Sequence, residues 1–168
     1  FISLVFIVVV CFIGYRFRAY LVLPSIDLKG EKEITIDVGA KYSEPGYSAY
    51  VKDKDVTNRV VVNGRVDVDK VGEYIIYYSV TNDMGYRKRK IKRVVNVVDL
   101  DKPVINLLGD SNMKIAYGDS YKEPGYSAKD TYDGDLTNKV IINGNIDTNR
   151  LGTYNLIYKV TDSSGNED

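Results

Sequence analysis

Three aspartates in the second half of the chain have the composition of a candidate calcium loop. Asp130, Asp133 and Asp135 surround Gly134, and carboxylate oxygens are ligands that Ca²⁺ prefers. An EF-hand loop also needs a glutamate at its twelfth position, and counted from Asp130 that position holds Ile141. The alternative is a simple turn, because Asp and Gly are typical turn residues. The sequence favours the turn and keeps these three residues as the metal-binding hypothesis.

The densest run of positive charge is a candidate site for an anionic polymer such as teichoic acid, or for lipid headgroups. It comprises Arg87, Lys88, Arg89, Lys90, Lys92 and Arg93. The alternative is an exposed strand whose lysines prevent edge-to-edge pairing with other sheets. A strand with one solvated face explains the run without any partner, so we expect this structural role first.

Catalysis has few residue types to draw on. The 168 residues include no histidine and a single cysteine, Cys11, so a base that titrates near neutral pH, a zinc site and an internal disulfide are all missing their usual residues. Paired carboxylates can hydrolyse glycosides, but they need a cleft. The 23 basic and 23 acidic residues balance, which argues against a nucleic-acid partner. The sequence predicts a protein that is not an enzyme and has no cofactor.

The feature that must position these residues is a tandem repeat. Residues 121–128 read Tyr-Lys-Glu-Pro-Gly-Tyr-Ser-Ala, and residues 42–49 match seven of the eight, 79 positions earlier. A period near 80 residues is long enough for a domain that folds alone. The repeated Glu-Pro-Gly is expected to be a turn, because Pro fixes φ and Gly permits positive φ.

Strand periods are present in each copy. The candidates in the first copy are Ser25–Leu28, Ile34–Val38, Tyr47–Val51 and Tyr74–Thr81, and the last recurs as Tyr154–Thr161. Apolar and polar side chains alternate in that recurrence, as in a strand with one buried face. Two sheets must then meet to bury their apolar faces. The sequence therefore predicts an all-β protein of two tandem β-sandwich domains.

Two local signals predict how the strands connect. Asn63-Gly64 lies between β-branched runs, which is typical of a type I′ hairpin, and Asn143-Gly144 repeats it. Tyr154 follows Gly152 by two residues, as Tyr74 follows Gly72 in the first copy. This spacing indicates a tyrosine corner, in which the hydroxyl donates to the backbone.

The predicted domains are 24–99 and 100–168, after an apolar leader over residues 1–23. We expect the second domain to lack its last strand, because the thirteen residues that follow Gly85 as Tyr86–Val98 have no counterpart after Gly165. The leader has no charge before Arg16. It favours a transmembrane signal-anchor helix whose start is missing.

Other interpretations of the leader stay open. It could be a cleaved signal peptide, a lipoprotein signal ending at Cys11, or a buried core helix. Arg16 and Arg18 argue against an extracytoplasmic position for the residues after them, because positive charge favours the cytoplasmic side of a membrane.

Four stretches of the second copy resemble a known family. They are Pro103 to Gly109, Tyr121 to Ala128, Asp133 to Thr137 and Gly152 to Asn166. The pattern is similar to the bacterial surface-protein immunoglobulin-like domain, which also occurs in a pesticidal crystal protein and is akin to hyalin-type repeats. It covers nearly all of residues 24–168, and the first copy departs from it at Asp53-Lys54-Asp55-Val56.

The resemblance implies extracellular immunoglobulin-like sandwiches in tandem, often between an anchor and another domain, and no catalytic residues. We therefore expect a single-pass cell-membrane protein whose sandwiches form an extracellular stalk or spacer. The alternative is an adhesive module that binds cell-wall polymer or glycan, as an accessory to a wall- or polysaccharide-modifying enzyme domain beyond Asp168.

Overall fold

The computed structural model describes residues 22–168 together with Gly14. The leader prediction therefore lies almost entirely outside the described residues. Among those that are described, no helix has the length and apolar character needed to cross a membrane. The chain divides into two compact units, residues 1–98 and residues 99–168, and the strands of each are described in turn.

The first unit consists of two sheets that face each other. Its seven strands in chain order are β1 (Ser25–Leu28), β2 (Glu33–Asp37), β3 (Tyr47–Val51), β4 (Lys54–Asp55), β5 (Val61–Asn63), β6 (Gly72–Thr81) and β7 (Lys88–Val98). One sheet has the order β1-β3-β4, and the other has the order β2-β7-β6-β5. Every pairing is antiparallel except that of β2 with β7, which is parallel.

The core of the first unit lies between these sheets. Ile26 and Ala49 contribute from the first sheet, and Ile76, Tyr78 and Val95 from the second. The C-terminal half of β7 alternates between buried and half-buried residues, which is the period-2 pattern of a strand with one face against a core. The predicted sandwich is confirmed here by the two sheets and the buried apolar residues between them.

The second unit repeats part of this plan. Its strands are β8 (Val104–Leu107), β9 (Tyr126–Asp130), β10 (Gly134–Asp135), β11 (Ile141–Asn143) and β12 (Ile157–Lys159). The sheet β10-β9-β8 matches β4-β3-β1, and β11 pairs with β12 as β5 pairs with β6. The buried cluster is smaller and consists of Ala128, Leu136 and Val160.

The strand predicted over residues 154–161 is shorter than expected. In the first unit β6 pairs with β7 through ten residue pairs. In the described part of the second unit, β12 pairs with β11 alone, and only Ile157–Lys159 form a strand. The strand is short because a strand is ordered by the neighbours that bond its backbone. Leu156 and Tyr158 line an open groove beside it.

The predicted Asn-Gly hairpins are wrong. β5 pairs with β6, not with the residues directly after Asn63-Gly64, and β11 pairs with β12 in the same way. Gly64 has φ of +119°, and a Cβ there would lie 2.3 Å from the carbonyl oxygen of Ile75. The glycine is needed because another backbone segment passes close to it, and not because it closes a two-residue turn.

The tyrosine corners are confirmed in both units. The Tyr74 hydroxyl donates to the Lys70 carbonyl oxygen at 2.9 Å, and the Tyr154 hydroxyl donates to that of Arg150 at 3.0 Å. Burial also alternates as predicted from Tyr154 to Val160. The corner is thus a local device that forms even where the following strand is short.

Candidate functional site

Three carboxylates from distant parts of the sequence meet in the second unit. Asp99 is its first residue, Asp130 ends β9, and Asp162 lies in the turn after β12. Each offers an oxygen within 4.8 Å of the other two. Their relative exposures are 4%, 8% and 7%. We call this group the aspartate cluster.

Backbone groups hold one oxygen of each carboxylate in place. The Oδ1 atoms of Asp99, Asp130 and Asp162 accept hydrogen bonds of 2.8–3.2 Å from the N–H groups of Asp101, of Tyr132 and Asp133, and of Ser164 and Asn166, respectively. The Asn166 amide donates to Asp162 Oδ2 at 2.8 Å and, also through Nδ2, to the Asp99 carbonyl oxygen at 3.1 Å. The Oδ2 atoms of Asp99 and Asp130 are buried and have no hydrogen-bond partner among the described residues.

The electrostatics of the aspartate cluster differ from one member to the next. Burial raises the pKa of Asp99; the N–H of Asp101 opposes this rise, and the charges of Asp130 and Asp162 add to it. Burial also raises the pKa of Asp162, but the hydrogen bonds that it accepts outweigh burial and hold that pKa below its usual value. Negative charge is therefore favoured at Asp162 and opposed at Asp99.

The structure takes only one member of the predicted calcium loop into this cluster. Asp133 instead accepts hydrogen bonds from the N–H and hydroxyl of Ser163 at 2.5 and 2.7 Å. Asp135 is exposed and accepts the N–H of Thr137 at 2.9 Å. Asp135 thus fixes a local turn, whereas Asp133 joins the turn after β9 to the turn after β12.

Sequence reasoning missed two members of the cluster because they are far from Asp130 along the chain. The repeat itself held the signal. Asp130 occupies the position of Val51, with an offset of 79 residues, and Asp162 occupies that of Asn82, with an offset of 80. Polar replacement of a buried apolar residue marks a position where packing alone does not decide the side chain.

The basic run lies on β7 and the turn before it, and most of it is exposed as a polymer-binding surface would require. The exposed members are Arg87, Lys88, Arg89, Lys90 and Lys92. The Lys90 ammonium lies 3.8 Å from the centre of the Tyr77 ring, within the range of a cation–π contact.

Arg93 does not belong to this surface, and its inclusion is corrected. Its side chain is completely buried, because Arg93 lies on the inward face of β7. The guanidinium donates to the carbonyl oxygens of Glu31, Lys29 and Gly46 and pairs with the Glu44 carboxylate at 3.1 Å. A buried guanidinium with this many acceptors stabilises the sandwich and cannot reach a polymer.

The repeated Glu-Pro-Gly motif is structural, as predicted, but it is more than a turn. The Glu123 carboxylate accepts the hydroxyl protons of Tyr121 and Tyr158, each at 2.5 Å, and the N–H of Gly125 at 3.1 Å. These bonds, the one from Tyr121 first, lower the pKa of Glu123. The glutamate therefore joins its own turn to the strand β12.

Glu44 likewise joins its turn to a strand in the first unit, but its partner there is Arg93 of β7. It accepts the Tyr42 hydroxyl at 2.6 Å and the N–H of Gly46 at 3.1 Å, and it pairs with Arg93. The Tyr78 hydroxyl faces this carboxylate but makes no hydrogen bond of normal geometry. Burial, followed by the nearby Glu44 carboxylate, raises the pKa of Tyr78 to about 12.

The family model of the bacterial surface protein, Ig-like domain, matches residues 26–97 and again residues 105–168. The chain belongs to this family. The pesticidal crystal protein Cry22Aa of Bacillus thuringiensis is 31% identical over 118 residues, which are 66% of this chain and 16% of that protein. An uncharacterized 81.3 kDa protein of Acholeplasma phage L2 is 31% identical over 121 residues, which are 68% of this chain and 16% of that protein. The immunoglobulin-like match thus spans about a sixth of each curated relative.

Two solved structures of bacterial proteins are similar to parts of this chain. A lipoprotein of Bacteroides thetaiotaomicron is 31% identical with a TM-score of 0.43, over 46% of this chain and 39% of that chain. The CBM51-2, in complex with GlcNAc, and INT domains of Clostridium perfringens ZmpB are 26% identical with a TM-score of 0.37, over 47% of this chain and 17% of that chain.

Proposed function

We propose that this chain is a non-catalytic spacer at the bacterial cell surface. Residues 1–23 anchor it in the cell membrane in a single pass, and the two immunoglobulin-like units hold a following domain outside. The observation that carries the proposal is the repetition of one compact domain, each copy having its own buried core. A repeated domain adds length without requiring a different surface in each copy.

The shared polar groups support this proposal because they serve the fold. The glutamates Glu44 and Glu123 each bind the hydroxyl of a tyrosine two residues earlier. The corner tyrosines Tyr74 and Tyr154 bind backbone. What the two units have in common is therefore a set of contacts that maintains a sandwich, which is the property that a spacer requires.

The test varies length and surface separately in a bacterial host. An epitope tag is placed after Asp168, and its height above the membrane is measured by fluorescence localisation. Deletion of residues 24–99 should lower the tag by the length of one unit. An unrelated immunoglobulin-like domain inserted in place of residues 24–99 should restore the height, because a spacer depends on length.

Two results would contradict the spacer proposal. One is that the replacement domain restores the tag height but not attachment of the cells to isolated wall material. The other is that added protease cleaves the tag only after lysis. The units would then lie on the cytoplasmic side of the membrane, as Arg16 and Arg18 favour.

A second candidate is an adhesive module that binds an anionic wall polymer. The observation that favours it is the exposed basic face of β7, where Lys88, Lys90 and Lys92 lie on one side of the strand. Replacing these three with Gln should abolish binding to purified wall. The matched control replaces three exposed lysines elsewhere in the first unit, Lys32, Lys41 and Lys70.

Salt then separates charge from shape in the same assay. Binding through the basic face should disappear at about 1 M salt, where the Debye length falls to about 3 Å. Binding that survives this salt and the Gln variant would exclude the basic face and favour a glycan contact elsewhere.

A further inference from the structure

The aspartate cluster places three negative groups where the fold offers them little compensation. Asp99, Asp130 and Asp162 are each more than nine-tenths buried, and their oxygens lie within 4.8 Å of one another. Like charges at this separation repel strongly when water is excluded. Such a group persists at neutral pH only if a proton or a cation reduces its charge.

Two oxygens of the cluster also lack the hydrogen bonds that buried carboxylates normally have. The Oδ2 atoms of Asp99 and Asp130 are buried without a partner among the described residues. Their Oδ1 atoms, in contrast, are held by N–H groups of the backbone. In Asp99 and Asp130 one oxygen is thus held by the backbone while the other is buried without a hydrogen bond among the described residues, as in a preformed ligand.

The first unit shows that the fold does not require these charges. Val51 is the buried end of β3 and matches Asp130 at the end of β9. Asn82 matches Asp162, and it organises its turn with a neutral side chain. The matching positions of the first unit are thus filled by one apolar and one uncharged residue. The turn after β9 is one residue longer than the turn after β3, and Asp130 Oδ1 accepts two of its N–H groups. These bonds need an oxygen acceptor at Asp130 and not a full negative charge.

We propose that Asp99, Asp130 and Asp162 bind a divalent cation of the calcium class. The donor set consists of carboxylate oxygens, which suit hard cations and not the softer metals that prefer sulfur or imidazole. Ca²⁺ is favoured over Mg²⁺, because Mg²⁺ is usually held by one or two carboxylates and keeps several waters. This inference concerns a site in the second unit and goes beyond the spacer proposal.

The cation has a defined structural effect. Asp99 begins the unit, Asp130 ends the central strand β9, and Asp162 lies in the turn after β12. One ion would therefore join the beginning, the middle and the end of the second unit. A ligand that binds the native state and not the unfolded chain raises the melting temperature by mass action.

The experiment uses the purified 168-residue chain in non-ionic detergent, stripped with a chelator. Calorimetric titration with Ca²⁺ should show one ion per chain with a Kd of roughly 0.1–1 mM, the range of extracellular calcium modules. At a concentration 100-fold above Kd, Ca²⁺ should raise the melting temperature of the second unit by about 10–20 °C.

The decisive variant is Asp130→Asn with Asp162→Asn, which removes two charges and keeps an amide oxygen at each position to accept the backbone N–H groups. It should lose Ca²⁺ binding by more than tenfold. In the chelator it should melt at a higher temperature than the unmodified chain, because the repulsion has been removed. A merely damaged protein would melt lower, so this sign separates a lost site from a lost fold. Asp119→Asn, at an exposed aspartate of the same unit, is the control and should bind Ca²⁺ as before.

Three outcomes would overturn the proposal. The first is no binding heat and no melting shift at about 10 mM Ca²⁺, beyond the range of such modules. The second is an unchanged Ca²⁺ response in the double variant, which would place the ion elsewhere. The third is tighter binding of Mg²⁺ than of Ca²⁺ in the same titration, which would exclude the calcium assignment.

Discussion

In the first unit the turn after the long strand β6 is organised by Asn82, and in the second unit the matching turn is organised by Asp162. The Asn82 side chain accepts the N–H groups of Tyr86 and Arg87 and donates to the Val22 carbonyl oxygen. Asp162 accepts the N–H groups of Ser164 and Asn166, but it carries a charge and lies next to two other carboxylates. One backbone thus supports a neutral turn and an acidic one, and the difference lies in side chains that the fold does not dictate.

A second contrast concerns the repeated Glu-Pro-Gly turn of the two copies. Glu44 pairs with the buried Arg93 of β7, whereas Glu123 accepts hydroxyl protons from Tyr121 and Tyr158. The first unit therefore balances its glutamate with a full charge, and the second does so with two neutral donors. This difference leads to predictions that can be ordered by the size of the expected effect.

The largest effect is expected for Arg93→Ala. This change removes the cation that pairs with Glu44 and a donor to three carbonyl oxygens. Breaking a buried pair of this kind costs about 3–5 kcal/mol. Hydrogen-exchange mass spectrometry can follow the first unit separately and should show the loss of protection there. Lys92→Ala, at the exposed neighbour on the same strand, should stay within about 0.5 kcal/mol. Full protection in Arg93→Ala would show that Glu44 needs no cation.

The second effect depends on pH. The folded state raises the pKa of Tyr78 from 10.0 to about 12, through burial and then the Glu44 carboxylate. A raised pKa gives stability that is complete below the unfolded value and is lost as the pH rises through the folded value. Tyr78 alone should therefore account for a loss of roughly 2–3 kcal/mol between pH 10 and pH 12. Tyr42 of the same unit adds to this loss, because burial also raises its pKa.

Urea unfolding followed by circular dichroism across this pH range measures that loss. Tyr78→Phe removes this titrating group and should reduce the pH dependence of the first unit, while Tyr42 keeps part of it. The second unit still contains Tyr158, whose pKa is also raised, first by burial. If the free energy of unfolding falls with pH equally steeply in the Tyr78→Phe variant, another group causes the loss of stability at alkaline pH.

A smaller effect is expected where the two units are alike. Tyr74→Phe and Tyr154→Phe each remove one hydroxyl bond to backbone, of 2.9 and 3.0 Å. Each should cost about 1 kcal/mol, the net worth of a single hydrogen bond. The measurement is local exchange protection in each unit. In the first unit β7 flanks β6, and no described strand takes that place beside β12 in the second unit. If the two costs differ by more than twofold, the corner depends on this neighbouring strand.

The smallest effect is expected for Lys159→Ala. Its ammonium pairs with Glu167 at 2.8 Å, but both side chains are about half exposed. Exposed ion pairs contribute about 0.2–1 kcal/mol. The control is Lys122→Ala, at another exposed lysine of the same unit, and the melting temperature of the second unit is the measurement. A loss at Lys159 as large as that for Arg93→Ala would invert the assignment of strand faces.

Local patterns of the sequence were enough to predict the sandwich, β3 and the tyrosine corners, because each depends on residues close together in the chain. The Asn63-Gly64 hairpin failed because the glycine is required by the distant backbone of Ile75. The sequence predicts Arg93 at the surface because all members of a basic run are expected to face solvent. Which members point inward depends on the alternation of β7, and the run of charges hides that alternation.

The candidate site was harder to predict than the fold. The sequence predicts Asp130 as a metal ligand because Asp133 and Asp135 are close to it in the chain. Its spatial partners Asp99 and Asp162 are more than 30 residues away along the chain. The pairing of β8 with β9, and the hydrogen bond from Asn166 in the turn after β12 to the Asp99 carbonyl oxygen, bring the three segments together. A sequence pattern shows only how residues are spaced along the chain. A site built from three separate segments has no characteristic spacing, so no pattern predicts it.

The parallel pairing of β2 with β7 has a mechanical consequence. β2 lies near the beginning of the first unit and β7 at its end, and five register pairs join them from Glu33 with Val94 to Asp37 with Val98. A force that enters β2 from the preceding chain and leaves through Val98 acts along both strands in opposite directions. The hydrogen bonds of this patch then bear the load together in shear, and they do not open one after another. A surface stalk under tension from flow or from a tethered partner would hold at this patch until its bonds break as a group.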